Sequence, residues 1–230
     1  ANSPLIRAWA RQPDDVDLTR RALVELESFR ANFADQSYFV GLHPSGRYYH
    51  NNAKNEYIDA PLRYTLDANK AADRWFYDII TQNRDMHINV NPDLPLGVTK
   101  LWIDVLIRDG NDILGVAGTG LDLTSFIREV VENSQPGITS LFVDHVGAIQ
   151  VYRDEKLIDF ASITKAAGNH KTLDMLFESD QDRQAVLAAM KEIEQQPTKT
   201  VNRAVQMHGR PFLVGLAYLP EIDWYEVTLL

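Results

Sequence analysis

The stretch "TSLFVDHVGAIQVY" (residues 139–152) restarts an order already met in "QSYFVGLHPSGRYYH" (36–50), and that restart decides the fold. Each stretch has a Phe-Val pair, a short turn carrying Gly, and a second β-rich run, which is the pattern of a hairpin. Outward from these hairpins, both halves run hairpin, helical connection, antiparallel strands. Ahead of the first, Leu18, Ala22, Leu26, Phe29 and Phe33 recur at three- and four-residue spacing and predict a helix over 17–33. A second helix is predicted over 71–82, burying Ala72, Trp75, Phe76, Ile79 and Ile80. Next, "VTKLWIDVLIRDGNDILGVAGTGL" (98–121) reads as two strands joined at Asp109-Gly110-Asn111. "DLTSFIREVVENS" (122–134) reads as a helix with Asp122 or Thr124 at its N-cap. The second half predicts helices over 171–178 and 181–195, then three strands with two tight turns. The fold class is therefore α+β. A long N-terminal helix (1–35) precedes two tandem domains with antiparallel sheets, 36–133 and 134–230, divided near "NSQPG" (133–137).

Composition narrows the function classes. The 230 residues are 45% apolar and 24% charged, an ordinary globular balance. Against 23 basic side chains stand 32 acidic ones, a net charge of −9 with no Lys/Arg cluster. That argues against nucleic acid, whose affinity rests on phosphate neutralisation, and against an anionic membrane surface. With no cysteine, disulfides, thiolate catalysis and Cys-ligated zinc are absent. No apolar run approaches the roughly 20 residues that span a bilayer, and the start shows no signal-peptide pattern. The chain stops on the strand-like "VTLL", as expected of a segment cut from something larger.

Enzyme templates fail: there is no G-x-S-x-G elbow, H-E-x-x-H helix or Walker A loop. Gly115, Gly118 and Gly120 lack the dinucleotide spacing and read as strand glycines, either relieving packing or marking a close backbone approach. The six histidines (43, 50, 87, 145, 170, 208) lie mainly near predicted turns, where surface positions are the default. None is spaced to share a metal with a helical neighbour. Asp104 sits mid-strand and Asp122 at the end of the next strand; as a glycosidase pair they are weak, being unlikely neighbours across this hairpin. One constellation remains, in "DRWFYDIITQNRDMHINVN" (73–91). Arg74 and Tyr77 lie one turn apart, opposite the apolar face, and offer a planar fork and a directed hydroxyl. Trp75 and Phe76 flank them, and Asp122 is available to answer an ammonium group. The plain alternative pairs Arg74 with Asp73 or Asp78 in solvent.

"ADRWFYDII" resembles the R-x-W-Y helix start of double Cache (dCache) sensor domains, the extracellular portions of bacterial transmembrane receptors. Arg74, Phe76 and Tyr77 stand at its Arg, aromatic and Tyr positions. "DILGVAGTGLDLTSFI" resembles the family strand whose acid matches Asp122. The resemblance implies two PAS-like domains, 36–133 membrane-distal and ligand-binding and 134–230 membrane-proximal. It implies a periplasmic or extracytoplasmic location beside an inner membrane, transmembrane helices outside this chain, and a cytoplasmic output. "RWFYDII", "HINVN" and "LWIDVLI" are most similar to diguanylate cyclase members. The implied binding residues are Arg74, Phe76, Tyr77, His87, Asn89 and Asp122, with "HINVN" in the far wall. Asn69 stands where amino-acid-binding members carry Tyr, and His87-x-Asn89 replaces their Tyr-x-Asp. The ligand expected is a small amine, amino-acid-like or carboxylate metabolite, with no cofactor, no metal and no catalytic residue. A weak homodimer is expected in the full receptor. A dimerisation module without a ligand, or a small-molecule enzyme using carboxylates, are the other readings.

Overall fold

The computed structural model describes residues 2–93, 98–132, 137–166 and 168–230. It contains two antiparallel sheets, one of six strands and one of five, and the chain divides into two compact units. The first unit comprises residues 1–89 and 100–122, the second 90–99 and 123–230. Most of the "NSQPG" boundary, residues 133–136, lies outside the described residues.

The N-terminal region is two helices rather than one. Ser3 caps α1 (Pro4–Arg11) by accepting from the Ile6 N–H, with Pro in the first turn, where no backbone donor is needed. Asp15 caps α2 (Val16–Asn32) by accepting from the Leu18 N–H, so the helix expected over 17–33 begins at a built N-terminus. Strands β1 (Tyr38–Leu42), β2 (Arg47–Asn51) and β3 (Leu62–Thr65) follow. After them come α3 (Arg74–Gln82), β4 (Met86–Asp93), β5 (Val98–Asp109) and β6 (Asp112–Asp122). The first sheet runs β3-β2-β1-β6-β5-β4. The "HINVN" residues thus lie in an edge strand, β4, and 62–65 forms the other edge.

Register assigns the two faces of this sheet. Val40 pairs with Tyr49 and Ala117, and that side carries Tyr38, Leu42, Ile107 and Leu114. Ile6, Trp9 and Ala10 of α1 and Ala22 and Leu26 of α2 close over it as one buried core, with the Trp9 and Tyr49 ring centroids 4.9 Å apart. The front face is the other one. There His50, Phe39, Gly118 and Asp104 form a single row across four strands, because each is the register partner of the next. Helix α3 covers the front face at Gly41, where a Cβ would stand 2.6 Å from the Phe76 ring. Gly118 is tighter still, its Cβ position lying 2.2 Å from the Ile103 carbonyl and 2.6 Å from Phe39. The close-approach reading of these glycines therefore holds.

The second unit places a short helix α4 (Leu123–Phe126), widening into a π-helical turn (Ile127–Glu132), ahead of β7 (Thr139–Asp144) and β8 (Ile149–Val151). Helix α5 (Asp180–Gln195), capped by Ser179, buries Val186, Ala189, Met190 and Ile193. The helix expected over 171–178 is a single 3-10 turn, Leu173–Leu176. The closing strands are β9 (Thr200–Met207), β10 (Arg210–Leu219) and β11 (Trp224–Leu229), and the sheet order is β8-β7-β11-β10-β9. His208 and Gly209 turn the β9–β10 hairpin with φ +52° and +69°, the positive pair that suits the strand twist.

Candidate functional site

The front face of the first sheet gathers most of the candidate residues. Phe39 lies at its centre. Its ring meets Trp75 edge-on at 5.7 Å, Trp102 edge-on at 5.6 Å and Tyr48 stacked at 6.0 Å. Tyr64 of β3 extends the group, 4.8 Å from Tyr48. Trp102 and Asp104 share this face by the two-residue period of β5, and Gly120 and Gly118 oppose them on β6. The glycines leave the floor without side chains, so the aromatic rings lean directly over backbone. Trp75 is the half-buried member of the set, on the solvent side, whereas Phe39, Tyr48 and Trp102 are buried.

Asp104 is 1% exposed in this setting. The Asn89 side-chain amide donates to its Oδ2 at 2.6 Å. Burial drives the carboxyl up to about 7, against the smaller opposing pull of that hydrogen bond. At the far end of the row, His50 is also buried, and burial lowers it to about 4. Its Nδ1 lies 2.7 Å from the Tyr38 carbonyl, a bond to which the neutral ring contributes the N–H. His50 and His87 thus depart from the surface default for histidine: both are buried, on β2 and β4.

The residues expected to bind a ligand separate into three groups. His87 and Asn89 are buried on β4, two residues apart and so on one face. Phe76 and Tyr77 belong to the covering helix, Phe76 as fully buried core and Tyr77 donating its hydroxyl to the Leu66 carbonyl at 3.3 Å. Arg74 and Asp122 lie at the surface. Arg74 is paired with Asp78 at 3.2 Å with its side chain 63% exposed, the solvated arrangement held open as the alternative. Asp122 ends β6 on the same face as Gly118 and Gly120, and the helix that follows begins at Leu123. Sequence reasoning weighed Asp104 only as a weak glycosidase carboxylate beside Asp122, and passed over Phe39 and Tyr48. The available signal was a charge set mid-strand in "LWIDVLI", with apolar residues on both sides.

The second unit holds its own buried polar network. Asp144 accepts from the N–H groups of Val146 and Ala148 and from the Gln150 amide. Asp159, fully buried, receives Lys165, His170 at 2.8 Å and the Lys171 N–H at 3.1 Å. Among the described residues, no group of three or more His, Asp or Glu is placed to hold a metal ion. Nor is any helix among them long and apolar enough to cross a membrane.

No family model matches the chain. Solved structures do. The ligand-binding domain of the amino acid chemoreceptor PctB of Pseudomonas aeruginosa PAO1, in complex with L-Gln, matches 98% of this chain and 80% of its own, at 16% identity and TM-score 0.60. The ligand-binding domain of the Pseudomonas fluorescens chemoreceptor CtaA with L-leucine matches 98% and 84%, at 16% identity and TM-score 0.57. That of the P. aeruginosa chemoreceptor PctC with GABA matches 95% and 82%, at 19% identity and TM-score 0.51. At these identities the likeness is one of fold. The fold is that of these chemoreceptor ligand-binding domains.

Proposed function

We propose that this chain is the extracytoplasmic sensing part of a bacterial transmembrane receptor and not an enzyme. Residues 36–133 serve as the membrane-distal domain that binds a small metabolite, and 134–230 as the proximal domain that transmits the change. The observation that carries this is the front face of the first sheet, where a buried acid lies among aromatic rings in a fold shared with ligand-binding domains. The site comprises Asp104, Asn89, His87, Phe76 and Tyr77, with Arg74 and Asp122 at its rim. The likeness of "RWFYDII" and "LWIDVLI" to diguanylate cyclase members supports that enzyme as the cytoplasmic output. The buried acids of the second unit are saturated internally, which supports a transmitting role there.

The neighbours' ligands are amino acids and GABA. Asn69 and His87-x-Asn89 depart from the amino-acid-binding pattern, so a different small charged or polar metabolite fits better. A thermal-shift screen of metabolites tests the reading, since a ligand that binds the folded state alone raises Tm. The expected result is a hit whose shift is lost in Asn89→Ala and weakened in Arg74→Ala and Asp122→Asn. A hit indifferent to all three, or one bound in the second unit, would overturn it.

A further inference from the structure

Strand β4 passes from the first unit to the second between Asn89 and Val90. Each of these two residues is held by its own unit, and through different atoms. The Asn89 side-chain amide donates to Asp104 Oδ2 at 2.6 Å, on the neighbouring strand β5. Val90 is held by its main chain. Its N–H donates to Gln150 Oε1 at 3.3 Å, and its carbonyl accepts from the Ala161 N–H at 2.9 Å. Asn89, Val90, Asp104 and Gln150 are all buried, so water offers these groups no substitute partner.

The two partners of Val90 are themselves fixed. Gln150 Nε2 donates to Asp144 Oδ2 at 2.8 Å and to Ser162 Oγ at 2.9 Å. Both protons of that amide and its oxygen are therefore in use, and it cannot turn without leaving a buried group unpaired. Ala161 stands at φ +57°, in the left-handed region that a residue with a Cβ rarely adopts, ahead of the 3-10 turn Ser162–Thr164. Such a conformation persists where its surroundings impose it. Here it directs an N–H to the Val90 carbonyl, while the next residue, Ser162, accepts from Gln150. The turn and the amide thus hold Val90 as one clasp. A single planar peptide unit, about 3.8 Å between Cα atoms, separates that clasp from Asn89.

We propose that Gln150 is a coupling residue: with Ala161 it converts a displacement of Asn89 into a rearrangement of the β7–β8 hairpin and the 162–164 turn, and in return sets the position from which Asn89 reaches Asp104. This rests on the reading of the first unit as the binding half and the second as the transmitting half, and goes beyond it by naming the residues through which the change passes. A group that takes the Asn89 amide away from Asp104 tilts the 89–90 peptide and withdraws the Val90 N–H from Gln150. The Gln150 oxygen is then a buried acceptor without its donor. Turning the amide to find another donor releases Asp144 and Ser162. Transmission is an exchange of hydrogen bonds along one short path, and each member of it is an identified atom.

The test uses the whole chain without ligand and hydrogen exchange resolved to single amides, which reads local opening. In Asn89→Ala, and in Asn89→Leu, which keeps the volume and removes the donor, the Val90 and Ala161 N–H groups should exchange about tenfold faster or more. The Leu213 N–H, bonded to the Leu230 carbonyl in the second unit, should exchange as before. Ile107→Val, which trims the first unit's core on β5 without touching Asn89, should leave Ala161 unchanged. From the other side, Gln150→Met should raise the titration midpoint of the Asp104 carboxyl, followed by carbon-13 NMR, above about 7, because a displaced Asn89 no longer favours the ionised form. That measurement decides alone if neither Asn89 variant folds. An Ala161 amide indifferent to both Asn89 variants, one quickened equally by Ile107→Val, or an unmoved Asp104 midpoint overturns the proposal. Since no ligand enters the measurement, a failed metabolite screen leaves the coupling standing. A screen hit together with an indifferent Ala161 sinks the coupling and leaves the sensor reading intact.

Discussion

At the scale of single residues, Asp104 and His50 are two buried titratable groups in one row of one sheet, pushed in opposite directions by the same desolvation. Asp104 holds its proton more tightly folded than unfolded. Its contribution is therefore intact below about 4 and is lost as pH rises through about 7. His50 resists protonation when folded, so its contribution is intact above 6.5 and is lost as pH falls through about 4. Between those limits the two slopes oppose each other. Asp104→Asn removes one of them and exposes the other. Its urea midpoint should climb from pH 4.5 to 6.5 more steeply than that of the parent. At pH 8 the variant should be the more stable, by on the order of 3–4 kcal/mol if the full shift of about three units is realised. Parallel pH profiles for the two proteins would show that Asp104 titrates normally.

At the scale of elements, close approach at glycine sets the spacing of the central strands. A methyl at Gly118 would meet the Ile103 carbonyl at 2.2 Å, and backbone on a neighbouring strand cannot rotate away as a side chain can. Gly118→Ala should cost more than 2 kcal/mol in chemical denaturation. Gly215→Ala, also mid-strand but with its nearest neighbour the Asn202 side chain at 3.2 Å, should cost under 1 kcal/mol. Equal losses would mean that the strands separate easily at Gly118. Hairpins were legible in sequence because Pro-Ser-Gly, Asp-Gly-Asn and His-Gly signal a turn locally. Helix α2 was legible from its apolar spacing. Strand β4 was not: "MHINVN" alternates no more clearly than a polar loop, and its place is fixed by pairing at the sheet edge.

At the scale of the whole molecule, the outward side of α2 decides self-association. It presents Asp17, Arg20, Arg21, Val24 and Ser28, with Val16 and Phe29 the other exposed large apolar residues of the helix, while Ala22 and Leu26 are spent on the helix's own core. A stable interface needs on the order of 1,000 Å² with an apolar centre. Sedimentation at about 10 µM should therefore find a monomer, with dimers appearing at much higher concentration. A tight dimer at that concentration would assign the contact to some other surface.

What the sequence by itself determined is the serial order: two hairpin-led halves, the long helix α2, the closing three-stranded meander, and an acidic, cysteine-free composition that removes whole classes of chemistry. These depend on spacing and turn residues, which act within a few positions along the chain. Tertiary structure alone decided that Arg74 pairs with Asp78 at the surface, that His50 is core, and that Asp104 is a buried acid bonded to Asn89. The reason is that β1 and β2 are covered on both faces, by α1 and α2 behind and by α3 in front, which erases the alternation that marks an exposed side. Whether a polar residue mid-strand meets water or a ring then depends on partners some 60 to 80 positions distant, such as Gly118 opposite Phe39.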